Sequence, residues 1–318
     1  MQPELEGIHH VTAIAGDPQR NVDFYVGVLG LRLVKRTVNF DDPGTYHLYY
    51  GDELGRPGTI LTFFPWPGAR RGSHGAGQAT VVSFSVAEGS LGYWQERLRG
   101  QGLAVEGPER RFEEEVLSFR DPDGLQLELV AHAGAERRRS GAGGPIPERH
   151  ALRGFHSVTL SERDFQATAA LLTGTMGLHL VTEKGQRFRL ALGGQNVAAL
   201  VDVVHNPEEP FGRIAAGTVH HVAWRCRDDA AQQSWRSRLI EAGFQPTPVL
   251  DRNYFHSIYF REPGGVLFEI ATDPPGFAVD EPLERLGGSL MLPPWLEHSR
   301  AEIEAHLPAL RMPTAPAR

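Results

Sequence analysis

The chain has 318 residues, a formal charge of −7 and an isoelectric point near 6.1. That acidic balance argues against nucleic acid or an anionic membrane as partner, and no apolar run reaches the roughly 20 residues a membrane span needs. A single cysteine, Cys226, excludes an internal disulfide, and the opening Met-Gln-Pro-Glu-Leu-Glu lacks the basic and apolar regions of a secretory signal, so the cytoplasm is the expected compartment.

The first strand-like run is Gly7-Ile-His-His-Val-Thr12, apolar and β-branched around two histidines. A helix is expected next, with Asp17 suited to its N-cap and Pro18 to its first position. Val22, Phe24, Tyr25 and Leu29 give that helix an inner face, and Gly30 ends it. Three further strands follow, divided by turn signals such as Asp41-Asp-Pro-Gly44; later units carry Asp121-Pro-Asp-Gly124 and Glu262-Pro-Gly-Gly265. The unit is βαβββ. Alone it would expose an apolar sheet face, so such units must pair, and a sheet made of two can curve around a cleft.

The unit recurs. Gly7-Ile-His-His-Val-Thr12 matches Gly154-Phe-His-Ser-Val-Thr159 at an offset of 147, and Ser118–Leu129 matches Tyr259–Ile270 at an offset of 141. Two module types therefore alternate, at roughly 7–66, 78–131, 153–204 and 217–272. The expected class is α+β, four βαβββ modules forming two curved, barrel-like sheets. By sequence the domains are 1–132, a linker at 133–150, 151–272, and a tail at 273–318 in which Leu296–Leu307 reads as a short amphipathic helix. The tail is expected to pack on the doubled core, with a cover for the cleft as the alternative. Gly141-Ala-Gly-Gly in the linker follows no strand and opens no helix, so it does not read as a phosphate loop.

The duplication supplies a comparison within the chain. Residues needed for the fold should persist in both copies, whereas those needed for one site can survive in one. His9-His10 is echoed by His220-His221, but His10 becomes Ser157 in the third module, and His221 has only apolar counterparts near Val81–Val82. Glu269 sits in an apolar strand, where a carboxylate needs a partner, and aligns with Glu128. Two histidines and one carboxylate, the set of a facial-triad metal site, can thus be assembled once, from His10, His221 and Glu269. If they meet, the first module must pair with the fourth. Strand alternation puts Thr12 on the face of His10 and His9 on the other, facing away or lining the edge. Tyr259 aligns with Ser118, Arg252 with Arg111 and His256 with Glu115. The phenol therefore belongs to the metal-bearing half alone.

Five segments together resemble the vicinal oxygen chelate superfamily, which includes glyoxalase, bleomycin-resistance and extradiol dioxygenase proteins. They are Ile8-His-His-Val-Thr12, Tyr46–Thr59, Arg153-Gly-Phe-His-Ser157, Val219-His-His-Val-Ala223 and Pro263–Glu269. The likeness spans Gly7 to about Thr272 and is strongest to the ring-cleaving dioxygenases that open hydroquinones. It implies Fe(II), or Mn(II), held by His10, His221 and Glu269, with O2 as co-substrate and a small aromatic as substrate. It also implies supporting roles near Thr12, His220, Arg252 and Tyr259. Tyr259 and His220 are candidates for handling protons, Arg252 for stabilising oxyanion charge, and Thr12, His9 and His256 for meeting the substrate. The alternatives are a glyoxalase-type isomerase using Zn(II) or Ni(II) with a fourth protein ligand, and a protein that only sequesters its ligand. Hydroquinone against catechol, and a homo-oligomer against a monomer, stay open.

Overall fold

The computed structural model of the chain describes residues 4–140, 144–193 and 199–312; most of Gly141-Ala-Gly-Gly lies outside them. No helix there is long and apolar enough to cross a membrane. Four units follow one another. The first holds β1 (Ile8–Ala15), α1 (Pro18–Val22), β2 (Arg32–Asn39), β3 (Asp42–Gly51) and β4 (Ile60–Pro65). The second holds β5 (Gln78–Val86), α2 (Leu91–Gly100), β6 (Val105–Arg111), β7 (Glu114–Arg120) and β8 (Gln126–Ala131). In the third are β9 (Phe155–Glu162), α3 (Phe165–Ala170), β10 (His179–Lys184), β11 (Arg187–Ala191) and β12 (Leu200–His205). The fourth has β13 (Thr218–Cys226), α4 (Asp229–Glu241), β14 (Leu250–Asp251), β15 (Phe255–Arg261) and β16 (Leu267–Pro275).

One eight-stranded sheet runs β14-β15-β16-β13-β1-β4-β3-β2 and the other β10-β11-β12-β9-β5-β8-β7-β6. The chain is thus the α+β assembly of two curved sheets that the repeat implied. The first unit joins the fourth through antiparallel β1 and β13, and the second joins the third through antiparallel β5 and β9. The boundaries 1–132 and 151–272 follow the duplication, while each sheet draws one unit from either side of them; as folding units they remain a proposal. Within every unit the first and last strands are parallel neighbours, which requires a crossover, and the helix with the intervening strands supplies it. Central strands are covered on both faces, and all eight residues of β1 are buried. Trp94 on α2 and Trp235 on α4, at repeat-equivalent positions, are fully buried under the two sheets.

Two local expectations shift. Asp17 caps α1 and accepts from the Arg20 amide at 2.8 Å, but the helix continues after Val22 as a π-helical turn, Asp23–Val28, and stops at Gly30 with φ +73°. The third unit repeats the turn at Leu171–Thr175. The β2–β3 hairpin turns at Phe40–Asp41, because Asn39 pairs with Asp42; Asp42-Pro-Gly44 has already joined β3.

The tail straps across the gap between the two edges of the first sheet. Its short helix is α5 (Arg300–His306), preceded by a 3₁₀ turn at Glu297–Ser299. Lys35 on edge strand β2 is wholly buried, with Nζ 2.5 Å from Asp280 and 2.6 Å from Glu281. Asp280 also accepts from the hydroxyl of Tyr254, in the turn between edge strand β14 and β15 at the other end of the sheet, at 2.9 Å. Phe277 fills the seam against Tyr49 and Tyr254. Replacing Lys35 by Met removes the cation and strands two carboxylates, so it should cost about 3 kcal/mol of stability, read by denaturant unfolding. An unchanged midpoint would make the strap dispensable.

A second buried carboxylate behaves differently. Glu162, at the end of β9, faces Glu262, and neither of its oxygens has a hydrogen-bond donor among the described residues. Burial first, then Glu262, pushes the Glu162 carboxyl up to about 9. The folded protein therefore keeps a proton that the unfolded chain releases at ordinary glutamate pH. Stability should be lost as pH rises from about 4.5 towards about 9. Glu162→Gln should flatten the dependence of Tm on pH across that window and raise Tm at pH 8. A profile parallel to the parent's would refute the buried proton.

Candidate metal centre

Register alone assembles the site. His10 on β1 stands opposite Ala223 on β13, and Ala223 stands opposite Glu269 on β16. His221 lies two residues before Ala223 and so shares its face. Tyr259 on β15 stands opposite Glu269, and Thr12 opposite His221. Three side chains from three adjacent strands thus converge on the concave face, with only the methyl of Ala223 between them.

The convergence is tight and dry. His10 Nε2 is 3.3 Å from His221 Nε2 and 3.3 Å from Glu269 Oε2, and His221 Nε2 is 2.9 Å from the same oxygen. His10 is 1%, His221 4% and Glu269 0% exposed. Burial drives His221 towards its neutral form, against the pull of Glu269. Burial would also raise the Glu269 carboxyl, but the two imidazoles outweigh it and hold the acid well below its usual range. No donor among the described residues satisfies Glu269 Oε2, while Ser257 donates to Oε1.

The back of each imidazole is held by the ring of its neighbour in sequence. His10 Nδ1 is 2.9 Å from His9 Nδ1, and His221 Nδ1 is 2.8 Å from His220 Nδ1. A proton on Nδ1 of each inner histidine leaves both Nε2 lone pairs aimed at the ionised carboxylate. In that tautomer three lone pairs would converge on one buried point, and a cation there would satisfy them. The donor set fits a first-row divalent ion.

The cavity in front of the triad has a volume of about 340 Å³. His220, Arg252 and Tyr259 line it together with Phe40, Phe64 and Trp66. Arg252 Nη1 is 3.1 Å from Asp41 Oδ2, across the seam between the sheet edges, and its guanidinium carbon lies 5.4 Å from the centre of the Tyr259 ring. Burial, then the charge of Glu269, raises the Tyr259 phenol, which stays protonated at neutral pH. Burial and the neighbouring imidazole lower His220 to about 3, so it is neutral.

Three expected substrate contacts are not on the cavity wall. A β-bulge between Ile8 and His10 breaks the simple alternation, so His9 packs on Phe255 and bonds its neighbour's ring. His256 points away from the cleft, with Nδ1 2.6 Å from Asp229 on α4. Thr12 is wholly buried and bonded to Thr62. Conversely, Ser257, His47 and Tyr49 were not anticipated. Ser257 aligns with Val116 at the 141-residue offset, an asymmetry of the same kind that singled out Tyr259.

The duplicate site is closed by charge. Glu128 is gripped by both terminal nitrogens of Arg111 at 2.8 Å each, and Ser83, in the place of Ala223, donates to it at 2.8 Å. A guanidinium neutralises this carboxylate. A separate group of Glu114, His132 and His156 could also surround an ion. However, Glu114 is already bonded to Arg189 at 2.6 Å, and burial together with nearby His156 and Arg138 lowers His132 to about 4. Those surroundings disfavour a cation.

Comparison with known proteins agrees with this architecture. The profile of the Glyoxalase/Bleomycin resistance protein/Dioxygenase superfamily matches residues 7–129 and 154–270. MhqO of Bacillus subtilis (strain 168), which bears the name of a ring-cleaving dioxygenase, is 49% identical over 307 residues, 96% of this chain and 97% of that protein. The chlorohydroquinone/hydroquinone 1,2-dioxygenase of Sphingobium indicum is 36% identical over 94% of this chain and 95% of its own length. A crystal structure from Bacillus subtilis, described as that of a dioxygenase, superposes with a TM-score of 0.93 at 47% identity, covering 98% of this chain and 99% of that one. Glyoxalase I of Zea mays shares the fold at a TM-score of 0.61 and 17% identity, covering 84% and 92%.

A metal held by the triad predicts an asymmetry between the two repeats. Glu269→Gln should abolish most iron binding, whereas Glu128→Gln should leave the iron content per folded chain at the parent level, both measured by metal analysis of purified protein. Equal loss from the two variants would contradict the assignment.

Proposed function

The chain belongs to the superfamily of glyoxalase, bleomycin resistance and dioxygenase proteins, and from that premise we propose that it is a ring-cleaving dioxygenase for a small hydroquinone or catechol-like aromatic. Its metal would be a single Fe(II), or Mn(II), held by His10, His221 and Glu269. The observation that carries the reading is the meeting of two imidazoles and a carboxylate held ionised at one buried point with an open cavity in front. The likeness to two proteins named for ring cleavage, over nearly the whole chain, supports the same choice.

His10, His221 and Glu269 would hold the ion, which when bound would supply the electronic coupling between a ring hydroxyl and O2. The chain's own residues prepare the rest. Phe40, Phe64 and Trp66 give the cavity aromatic walls that receive a flat ring and exclude water. Tyr259, neutral and beside Glu269, is suited to donate a hydrogen bond or a proton to a substrate oxygen in the cavity. Arg252 brings a fixed positive charge to the same wall and is suited to hold negative charge that develops on oxygen. His220 orients His221 through their Nδ1 contact and offers a neutral imidazole for proton handling.

Anaerobically iron-loaded protein mixed with hydroquinones or catechols in an oxygen electrode should consume one O2 per ring opened. No O2 uptake, with isomerase activity on a hemithioacetal in the Zn(II) or Ni(II) form, would favour the glyoxalase-type alternative. Tyr259→Phe keeps the ring volume, so fold and iron content should survive while turnover falls by about 100- to 10,000-fold. Parent-level turnover in that variant would reduce the tyrosine to packing.

A further inference from the structure

The cavity has a second polar wall that the chemistry above leaves unused. β4 lies beside β1 and β3 beside β4, so Thr12, Thr62 and Tyr49 stand in one row across the concave face, with His47 two residues from Tyr49. Their side chains form an unbroken chain. Thr12 Oγ1 is 2.8 Å from Thr62 Oγ1, which is 2.8 Å from His47 Nε2, and His47 Nδ1 is 2.8 Å from the Tyr49 hydroxyl. All four residues are buried, and His47 and Tyr49 line the cavity. The Tyr49 and Phe64 rings, centred 4.0 and 4.3 Å from the imidazole, hold His47 in place.

With His47 neutral, the four groups carry four exchangeable hydrogens, and three links use three of them. One hydrogen is left over, and it falls on Tyr49, on Thr62 or on Thr12. If Thr12 donates to Thr62, Thr62 to His47 Nε2 and His47 Nδ1 to the phenol oxygen, the Tyr49 hydroxyl becomes a donor facing the cavity. The other two arrangements strand the hydrogen on Thr12 or on Thr62, both 0% exposed and with no side-chain partner outside this chain among the described residues. A ring oxygen in the cavity would therefore draw the chain towards Tyr49.

We propose that Tyr49, oriented by His47 and Thr62, is a specificity-determining residue that binds a ring oxygen remote from the metal. This rests on the dioxygenase reading. A catechol carries its two hydroxyls on adjacent carbons, where both can reach open coordination positions. A hydroquinone carries its second hydroxyl across the ring, where aromatic walls would leave it unpaired. Arg252 is already engaged with Asp41, Tyr259 stands beside Glu269 and His220 backs His221, so among the cavity's donors, Asn39 included, Tyr49 is the one whose hydrogen a buried chain can aim.

The test is anaerobic binding of hydroquinone, phenol and catechol to iron-loaded protein, followed by tryptophan fluorescence, since Trp66 lines the cavity. The parent should bind hydroquinone roughly 10-fold more tightly than phenol, the scale of one hydrogen bond to an otherwise unpaired hydroxyl. Tyr49→Phe should erase that advantage while phenol affinity, catechol affinity and iron content hold. Thr62→Val cuts the chain away from the cavity and should weaken the same advantage, which keeps the test alive if the Tyr49 variant folds poorly. A hydroquinone advantage that survives both changes, or an equal loss for phenol and hydroquinone, would overturn the proposal. Tyr49-dependent hydroquinone binding without O2 consumption would instead overturn the dioxygenase reading and leave this one standing.

Discussion

Everything at the site depends on the antiparallel pairing of β1 with β13. It joins the first unit to the fourth, across the whole length of the duplication, and sets His10 opposite Ala223 and Thr12 opposite His221. A one-residue slip would turn His10 to the face opposite His221 and Glu269. The same register carries the site outward in both directions, to Glu269 and Tyr259 on one side and to Thr62, His47 and Tyr49 on the other. Ligands, cavity walls and hydrogen-bond chain are one row of positions on one curved surface.

The two sheets answer the same electrostatic problem in two ways. Each buries a carboxylate at the repeat-equivalent position, and a buried carboxylate needs positive charge. In the second sheet Arg111 supplies it from within the chain, with Ser83 and Ser118 adding hydrogen bonds to Glu128. In the first sheet the arginine at the matching position, Arg252, is turned to Asp41 and Tyr259 instead, and two imidazoles face Glu269. Diverting one arginine and gaining two histidines separates a structural ion pair from a place where a metal would sit.

The meeting of His10, His221 and Glu269 was legible because the duplication supplied its own contrast. His10 against Ser157 and His221 against Val81 mark one copy as different, and Glu269 in an apolar strand asks for a cation. The four βαβββ units were legible from the same repeat. What periodicity cannot carry is the register between strands of one sheet, so His47, Tyr49 and Thr62 looked like ordinary strand residues. Ser257 was within reach, since Val116 stands at its repeat position, but a lone serine in a strand draws no attention. The bulge that turns His9 onto His10 leaves no trace in residue type, whereas His256, three residues from Tyr259 on β15, is sent to the opposite face, towards α4, by strand alternation alone. The tail has no second copy, and its buried anchor, Lys35, is one of only two lysines in the chain.

The most direct measurement of the central claim is the stoichiometry of ferrous ion bound by the full chain under anaerobic conditions, by titration with metal analysis of the separated protein. The account predicts one tightly bound iron per chain, lost when His10 or His221 becomes Ala. Two irons per chain, or one that survives both substitutions, would contradict it.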